Sequence, residues 1–147
     1  MDYTLKGKTY TLDADDQKVC VDHPPKVKED WSKDKYEPYK QKLKKAYYLG
    51  QYDRCAYCRG IIEGDAYYEP LDHIIAKAAR PDWLLEPKNL IVTCDRCNNR
   101  KGTEPTVTAE ALAGAKFPDD EKDYLIFNPH FDNWADHLQF EEDIFIT

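Results

Sequence analysis

Leu71-Asp72-His73-Ile74-Ile75 lies between Cys55-Ala56-Tyr57-Cys58-Arg59-Gly60 and Cys94-Asp95-Arg96-Cys97-Asn98-Asn99-Arg100-Lys101-Gly102, and these three segments decide the fold. Each C-x-x-C turn sets two thiolates on one side of a tetrahedral site, so Cys55, Cys58, Cys94 and Cys97 complete the shell of one structural zinc. The 35 residues between the pairs exceed a compact zinc-ribbon spacing. That gap therefore holds structure of its own, such as a hairpin. Two thioredoxin-like redox pairs are the competing reading, but that motif opens a helix in a βαβ context. Cys20 stands apart as a buried or idle thiol.

Working outward, Tyr67–Ile75 has strand character and Leu90–Thr93 is a second short β-rich run. Lys77–Lys88, with Pro81 and Pro87, is a loop between them. A short helix is expected after Cys97, with Asn98 at its start, near Asp72. Gly60 is read as the source of backbone freedom in the first cysteine turn. On a continuous strand Asp72 and His73 point to opposite faces, unless the strand ends there. Residues 30–49 read as a helix on the spacing of Trp31, Tyr36, Tyr39, Leu43, Ala46 and Tyr47, starting or kinked at Pro38 and stopping near Gly50. Residues 1–25 look peripheral: Thr9–Leu12 is a candidate strand, broken by Asp13 to Asp16 and by Pro24-Pro25. Further candidates are a helix at Ala109–Ala115, a strand at Tyr124–Phe127 and a terminal strand or arm at Leu138–Ile146.

The chain has 147 residues, 41% hydrophobic and 33% charged, as expected of one domain with arms. No apolar run is long enough for a membrane span, and the first residues lack the pattern of a signal peptide, so the expected location is cytoplasmic. The net charge of −7 argues against unaided, tight, nonspecific binding to DNA. It is unevenly spread: residues 26–60 carry 10 basic and 5 acidic side chains, residues 103–147 carry 2 and 11. Lys40, Lys42, Lys44, Lys45, Arg54 and Arg59 form a track for a nucleic-acid backbone if they share a face with the site, and otherwise a solvated face. Arg100 and Lys101 are phosphate contacts or solvated helix-end cations. His130 and His137 read as packing residues.

The set D-H-I…N-L…C-x-x-C-N-x-x-K resembles the HNH (ββα-metal) endonuclease family over residues 55–102. The resemblance implies an α+β fold: a treble-clef-like ββα-metal core with structural zinc, flanked by an N-terminal helix and a C-terminal extension. The implied divisions are an arm over 1–29, the nuclease core with its leading helix over 30–105, and an acidic extension over 106–147. It implies His73 as general base, Asp72 and Asn98 as ligands of Mg²⁺ or Mn²⁺, and Asn89 as the residue that holds the interstrand loop and so orients His73. Asn98 stands where the family name has its last histidine, and its amide oxygen suits a hard cation. The chemistry matches: a neutral imidazole deprotonates water, and one cation stabilises the leaving 3′ oxygen. Products with 5′-phosphate and 3′-hydroxyl ends are implied.

More loosely, a Trp-bearing basic helix leading into Cys-Ala-Tyr-Cys, with a late Asn-Pro-x-x-Asp-x-x-x-x-His-Leu-x-Phe segment, resembles the small HNH subunits of bacterial anti-phage systems. Those subunits pair with an ABC-type ATPase, as in Septu-type and retron-linked modules. That resemblance implies a DNA-cutting effector whose affinity comes from its ATPase partner, with the acidic aromatic extension as docking surface. Two alternatives remain open: a catalytically silent zinc module that binds nucleic acid or protein, and an RNA-directed HNH nuclease.

Overall fold

The computed structural model describes residues 4–62 and 70–137. The elements run α1 (Ala14–Asp22), α2 (Glu37–Gly50), β1 (Leu71–His73), β2 (Leu90–Val92), α3 (Asp95–Lys101) and α4 (Ala109–Ala113), joined by short 3₁₀ turns. The two strands pair antiparallel, Leu71 with Val92, Asp72 with Ile91 and His73 with Leu90. The described part of the strand expected at Tyr67–Ile75 shortens to three residues, and its start lies outside the described residues. So does the segment expected at Leu138–Ile146.

The helix expected over 30–49 is two 3₁₀ turns, Lys28–Ser32 and Asp34–Tyr36, followed by α2. Pro38 is the reason. It has no N–H to give an upstream carbonyl, but in the first turn of α2 none is required. The buried face of α2 presents Tyr39, Leu43 and Tyr47. Each tyrosine hydroxyl finds a carbonyl as its ring is buried, Tyr39 donating to Leu85 O at 2.6 Å and Tyr47 to Pro87 O at 2.8 Å. Both acceptors lie in the β1–β2 connection, so α2 braces the loop that shapes the site. Ile74, Leu84, Leu90, Ile91 and Val92 complete this core, each fully or almost fully buried. Burying a side chain of this kind contributes about 1.5–3 kcal/mol.

Residues 4–25 are mostly exposed but anchored at a few buried positions. Leu5 is fully buried. Asp13 to Asp16, read as a breaker, is a capping box that starts α1: Asp16 N–H donates to Asp13 Oδ1 at 2.8 Å and Asp13 N–H to Asp16 Oδ2 at 3.0 Å. Thr9–Leu12 has no strand partner among the described residues. The stretch 124–127 forms only an isolated bridge, Tyr124 to Val107, and the expected helix at 109–115 ends at Ala113. The arm and the extension meet: Leu5 N–H donates to Pro129 O at 2.8 Å, and Thr4 Oγ1 donates to the carbonyls of Pro129 and Asp132. His130 seals the junction, its Nε2 donating to Leu90 O at 2.9 Å and its Nδ1 accepting from Thr9 Oγ1 at 2.7 Å. Among the described residues no helix is long and apolar enough to cross a membrane.

Candidate metal centre and catalytic cleft

The four cysteines converge. The sulfurs of Cys55, Cys58, Cys94 and Cys97 all lie within 4.8 Å of one another, with Cys58 and Cys94 at 3.8 Å. A tetrahedron with bonds of about 2.3 Å has edges of about 3.8 Å, so the cluster fits zinc. Backbone N–H groups point at the sulfurs: Tyr57 N to Cys55, Gly60 N to Cys58 and Cys97 N to Cys94, at 3.4 to 3.5 Å. Such donors favour the thiolate form that a metal needs.

The backbone freedom expected of Gly60 is used elsewhere. Arg59 carries the left-handed conformation, φ 63°. Gly60 matters because a Cβ there meets Cys58 Sγ at 3.3 Å. Gln51, which the sequence did not single out, ties this turn to the sheet. It is 3% exposed, with its amide nitrogen donating to Arg54 O and Val92 O and its oxygen accepting from Val92 N–H. Ala56 N–H adds a bond to Val92 O at 3.0 Å. The cluster is thus fixed to β2, the strand paired with the one carrying Asp72 and His73.

Cys94 caps α3, which begins at Asp95, before Cys97. Asn98 therefore sits one turn inside the helix and not at its start. This explains its direction: Asn98 and Lys101, three apart, share a face, while Cys97 and Arg100 share the neighbouring one. The first pair lines a cleft of about 470 Å³ together with Trp31, Asp72, His73 and Lys77. Asp72 and His73 both reach it because β1 ends at His73 and the alternation of faces stops. Beyond that point the backbone bonds change: Ile74 N–H donates to Asn89 O at 2.9 Å, and Lys101 Nζ donates to His73 O at 2.9 Å.

His73 is 4% exposed, and its ring stands edge-on to Trp31 with centroids 4.4 Å apart. Its Nε2 lies 3.0 Å from Leu84 O. A carbonyl only accepts, so Nε2 carries the hydrogen and Nδ1 is the nitrogen with the free lone pair. Burial pulls the imidazole down to about 3, against the help of the Leu84 bond, so it is neutral. Asn89, 1% exposed, holds the loop that supplies Leu84. Its Oδ1 accepts from Ile75 N–H at 2.7 Å, and its Nδ2 donates to Ile75 O at 3.2 Å and Trp83 O at 3.3 Å. Leu84 and Gln51 are contributors that residue type could not reveal, the first because only its main chain acts.

Asp72 is buried, and its Oδ1 lies 3.4 Å from Lys101 Nζ. Its Oδ2 is buried and has no hydrogen-bond partner among the described residues. Burial pushes the carboxyl up to about 6, with Lys101 opposing. An unpaired buried carboxylate oxygen on a residue that lines the same cleft as Asn98 fits a hard cation, which prefers oxygen ligands. Lys101 is thus anchored to β1 within the cleft, while Arg100 is exposed and borders a separate apolar hollow with Tyr57 and Ile126.

The basic track does not form. Positions 40, 42, 44 and 45 fan around a helix at 100° per residue. Lys40 is buried against Trp31 and Glu37, Lys42 pairs with Asp13 and Asp16, and Arg59 is buried with Nη2 donating to Gln51 O. Lys44 and Lys45 do not line the cleft. The exposed cations that do line it are Lys28 and Lys77.

Comparison with known proteins agrees with this geometry. Residues 55–104 match the HNH endonuclease family model. The chain is similar to the Septu protein PtuB of Bacillus thuringiensis, 26% identical over 59% of this chain and 28% of that protein. It is also similar to the Septu protein PtuB of Bacillus mycoides (strain KBAB4), 29% identical over 60% of this chain and 35% of that protein. It therefore spans about a third of the length of these relatives. No solved structure gives a significant match. The hairpin, the helix and the cysteine cluster over residues 55–104 are an HNH endonuclease domain.

Proposed function

We propose that the chain is a metal-dependent endonuclease that hydrolyses phosphodiester bonds of DNA, with zinc as structural ion and Mg²⁺ or Mn²⁺ as catalytic ion. One observation carries the reading: Asp72, His73 and Asn98, drawn from β1 and α3, line one cleft, and the buried Oδ2 of Asp72 has no hydrogen-bond partner among the described residues. A bound divalent cation supplies charge stabilisation for the phosphate and the leaving 3′ oxygen. The residues do the rest. Asp72 and Asn98 hold the cation, and Asn89 and Leu84 O keep His73 in the tautomer with Nδ1 free. That nitrogen takes the proton of the attacking water, whose oxygen bonds phosphorus as the bond to the 3′ oxygen breaks. Lys28 and Lys77 at the rim contact backbone phosphates.

Similarity to two proteins named Septu protein PtuB supports the narrower role: the effector nuclease of a bacterial anti-phage complex with an ABC-type ATPase partner. Tyr124, Phe127, His130 and Trp134 are buried within the chain itself. Within the described part of the extension the docking role therefore falls to the exposed acidic side chains and not to these aromatics, and residues 138–147 lie outside the described residues. The test is incubation of the zinc-loaded protein, with and without a co-encoded ATPase, on plasmid DNA and on RNA in Mg²⁺ or Mn²⁺. Nicking or linearisation of plasmid supports the reading. RNA cleavage alone moves the substrate, and no cleavage under any condition overturns it.

A further inference from the structure

We infer that Trp31 is a positioning residue for His73, supplied by a part of the chain outside the HNH domain. The turn that carries it is built locally. Asp30 accepts from the N–H groups of Lys26 at 2.8 Å and Val27 at 3.2 Å and pairs with Lys33 at 2.8 Å, which closes Lys28–Ser32. Trp31 is then fixed from α2. Lys40, 5% exposed, sets its ammonium 4.3 Å from the indole centroid and donates to Trp31 O at 3.1 Å, with Glu37 at 3.0 Å to offset the charge. A cation confined against an indole, with a carbonyl and a carboxylate accepting from it, is a rigid support.

On this support the His73 ring stands at 81° to the indole. One hydrogen bond, Nε2 to Leu84 O, fixes one atom of the imidazole and leaves the ring free to swing about that bond. The perpendicular indole, with its centroid 4.4 Å from that of the imidazole, packs against the ring and restrains the swing. Trp31 also lines the cleft, so it keeps water from the packed side of the ring while the other side faces the site. A misplacement of about 1 Å in a catalytic group costs on the order of 10²-fold, which is the scale of effect assigned to this pairing.

The kinetic part rests on the proposed hydrolase, but the ring geometry does not, and the experiment separates them. Ring-nitrogen NMR of the zinc-loaded protein without Mg²⁺ reads the tautomer of His73. Cleavage kinetics with Mg²⁺ read kcat and KM. Trp31→Ala is expected to collapse the separate Nε2–H and Nδ1 signals toward an average and lower kcat on the order of 10²-fold, with KM within about twofold. Trp31→Phe, which restores an aromatic face, is expected to recover most of both. If Trp31→Ala loses its fold by circular dichroism, Trp31→Leu keeps the apolar volume without that face and is read the same way. Collapse of the signals in a protein that cleaves nothing supports positioning and sinks the hydrolase. Unchanged signals in the Ala or Leu variant, or unchanged kcat in an active one, overturn the inference.

Discussion

The Nε2 of His73 donates to the carbonyl of Leu84, eleven residues further along the chain, at 3.0 Å. That bond decides which nitrogen can act as a base. The first prediction concerns it. Replacing His73 with Ala removes the base and lowers cleavage by about 10²–10⁴-fold, while zinc remains near one per chain by atomic absorption. Cleavage within a few-fold of the parent removes His73 from that role.

Asn89 keeps Leu84 in place by binding the start of its loop at Ile75 and the adjoining carbonyl of Trp83. Asn89→Ala leaves the main-chain groups of Ile75 without their partner, at a cost of about 1–3 kcal/mol for each buried group. Urea denaturation checks this, and a loss below about 0.5 kcal/mol contradicts it.

The thiolate cluster joins the first cysteine turn to α3 across β2, so metal and fold are coupled. Cys94→Ser, or removal of zinc by a strong chelator, is expected to abolish the cooperative thermal transition, and not merely the activity. A zinc-free, folded, soluble variant is the opposing result.

Stability should depend on pH through buried imidazoles. Burial pulls His130 down to about 4, while the unfolded chain takes up that proton near the ordinary value of about 6.5. Between these values the unfolded state binds more protons, so stability is full above the window and falls as pH is lowered through it. His73 acts in the same sense. Asp72, raised to about 6, acts in the opposite sense as pH falls through that value, so the difference between parent and a variant that keeps Asp72, measured at pH 7.5 and pH 6.0, isolates His130. His130→Gln, whose amide still reaches Leu90 O, should lose less stability between those two points than the parent. An equal loss in both contradicts the assignment.

The cysteine cluster was legible in the spacing of its pairs, and the resemblance carried by the Asp-His step and the asparagine after the last cysteine named three residues that line one cleft. What the sequence concealed was decided by main chain and by direction. Leu84 acts through a carbonyl, which any residue carries. Trp31 looked like one more apolar position of a helix, but Pro38 separates its turn from α2 and frees it to face His73. The lysines of α2 looked like one basic track because charge counts ignore the angle between successive side chains. Asp13 to Asp16 looked like the break of a strand because aspartate is rare in strands, yet it is a good residue at the start of a helix.

That angular dispersion yields a prediction for substrate binding. Lys28→Ala with Lys77→Ala should weaken DNA binding and shallow its salt dependence by about 0.9 in log–log slope for each phosphate left without its lysine. Lys44→Ala with Lys45→Ala should leave both unchanged. Filter binding over a salt series checks it, and the reverse pattern restores the helix as the DNA track.

The most direct test of a shared cation site is titration of the zinc-loaded protein with Mn²⁺, followed by electron paramagnetic resonance. One bound Mn²⁺ per chain is expected, lost or much weakened in Asp72→Ala and in Asn98→Ala and retained in His73→Ala. Absence of a bound ion, or one that survives both ligand substitutions, contradicts the convergence of Asp72 and Asn98 on one metal.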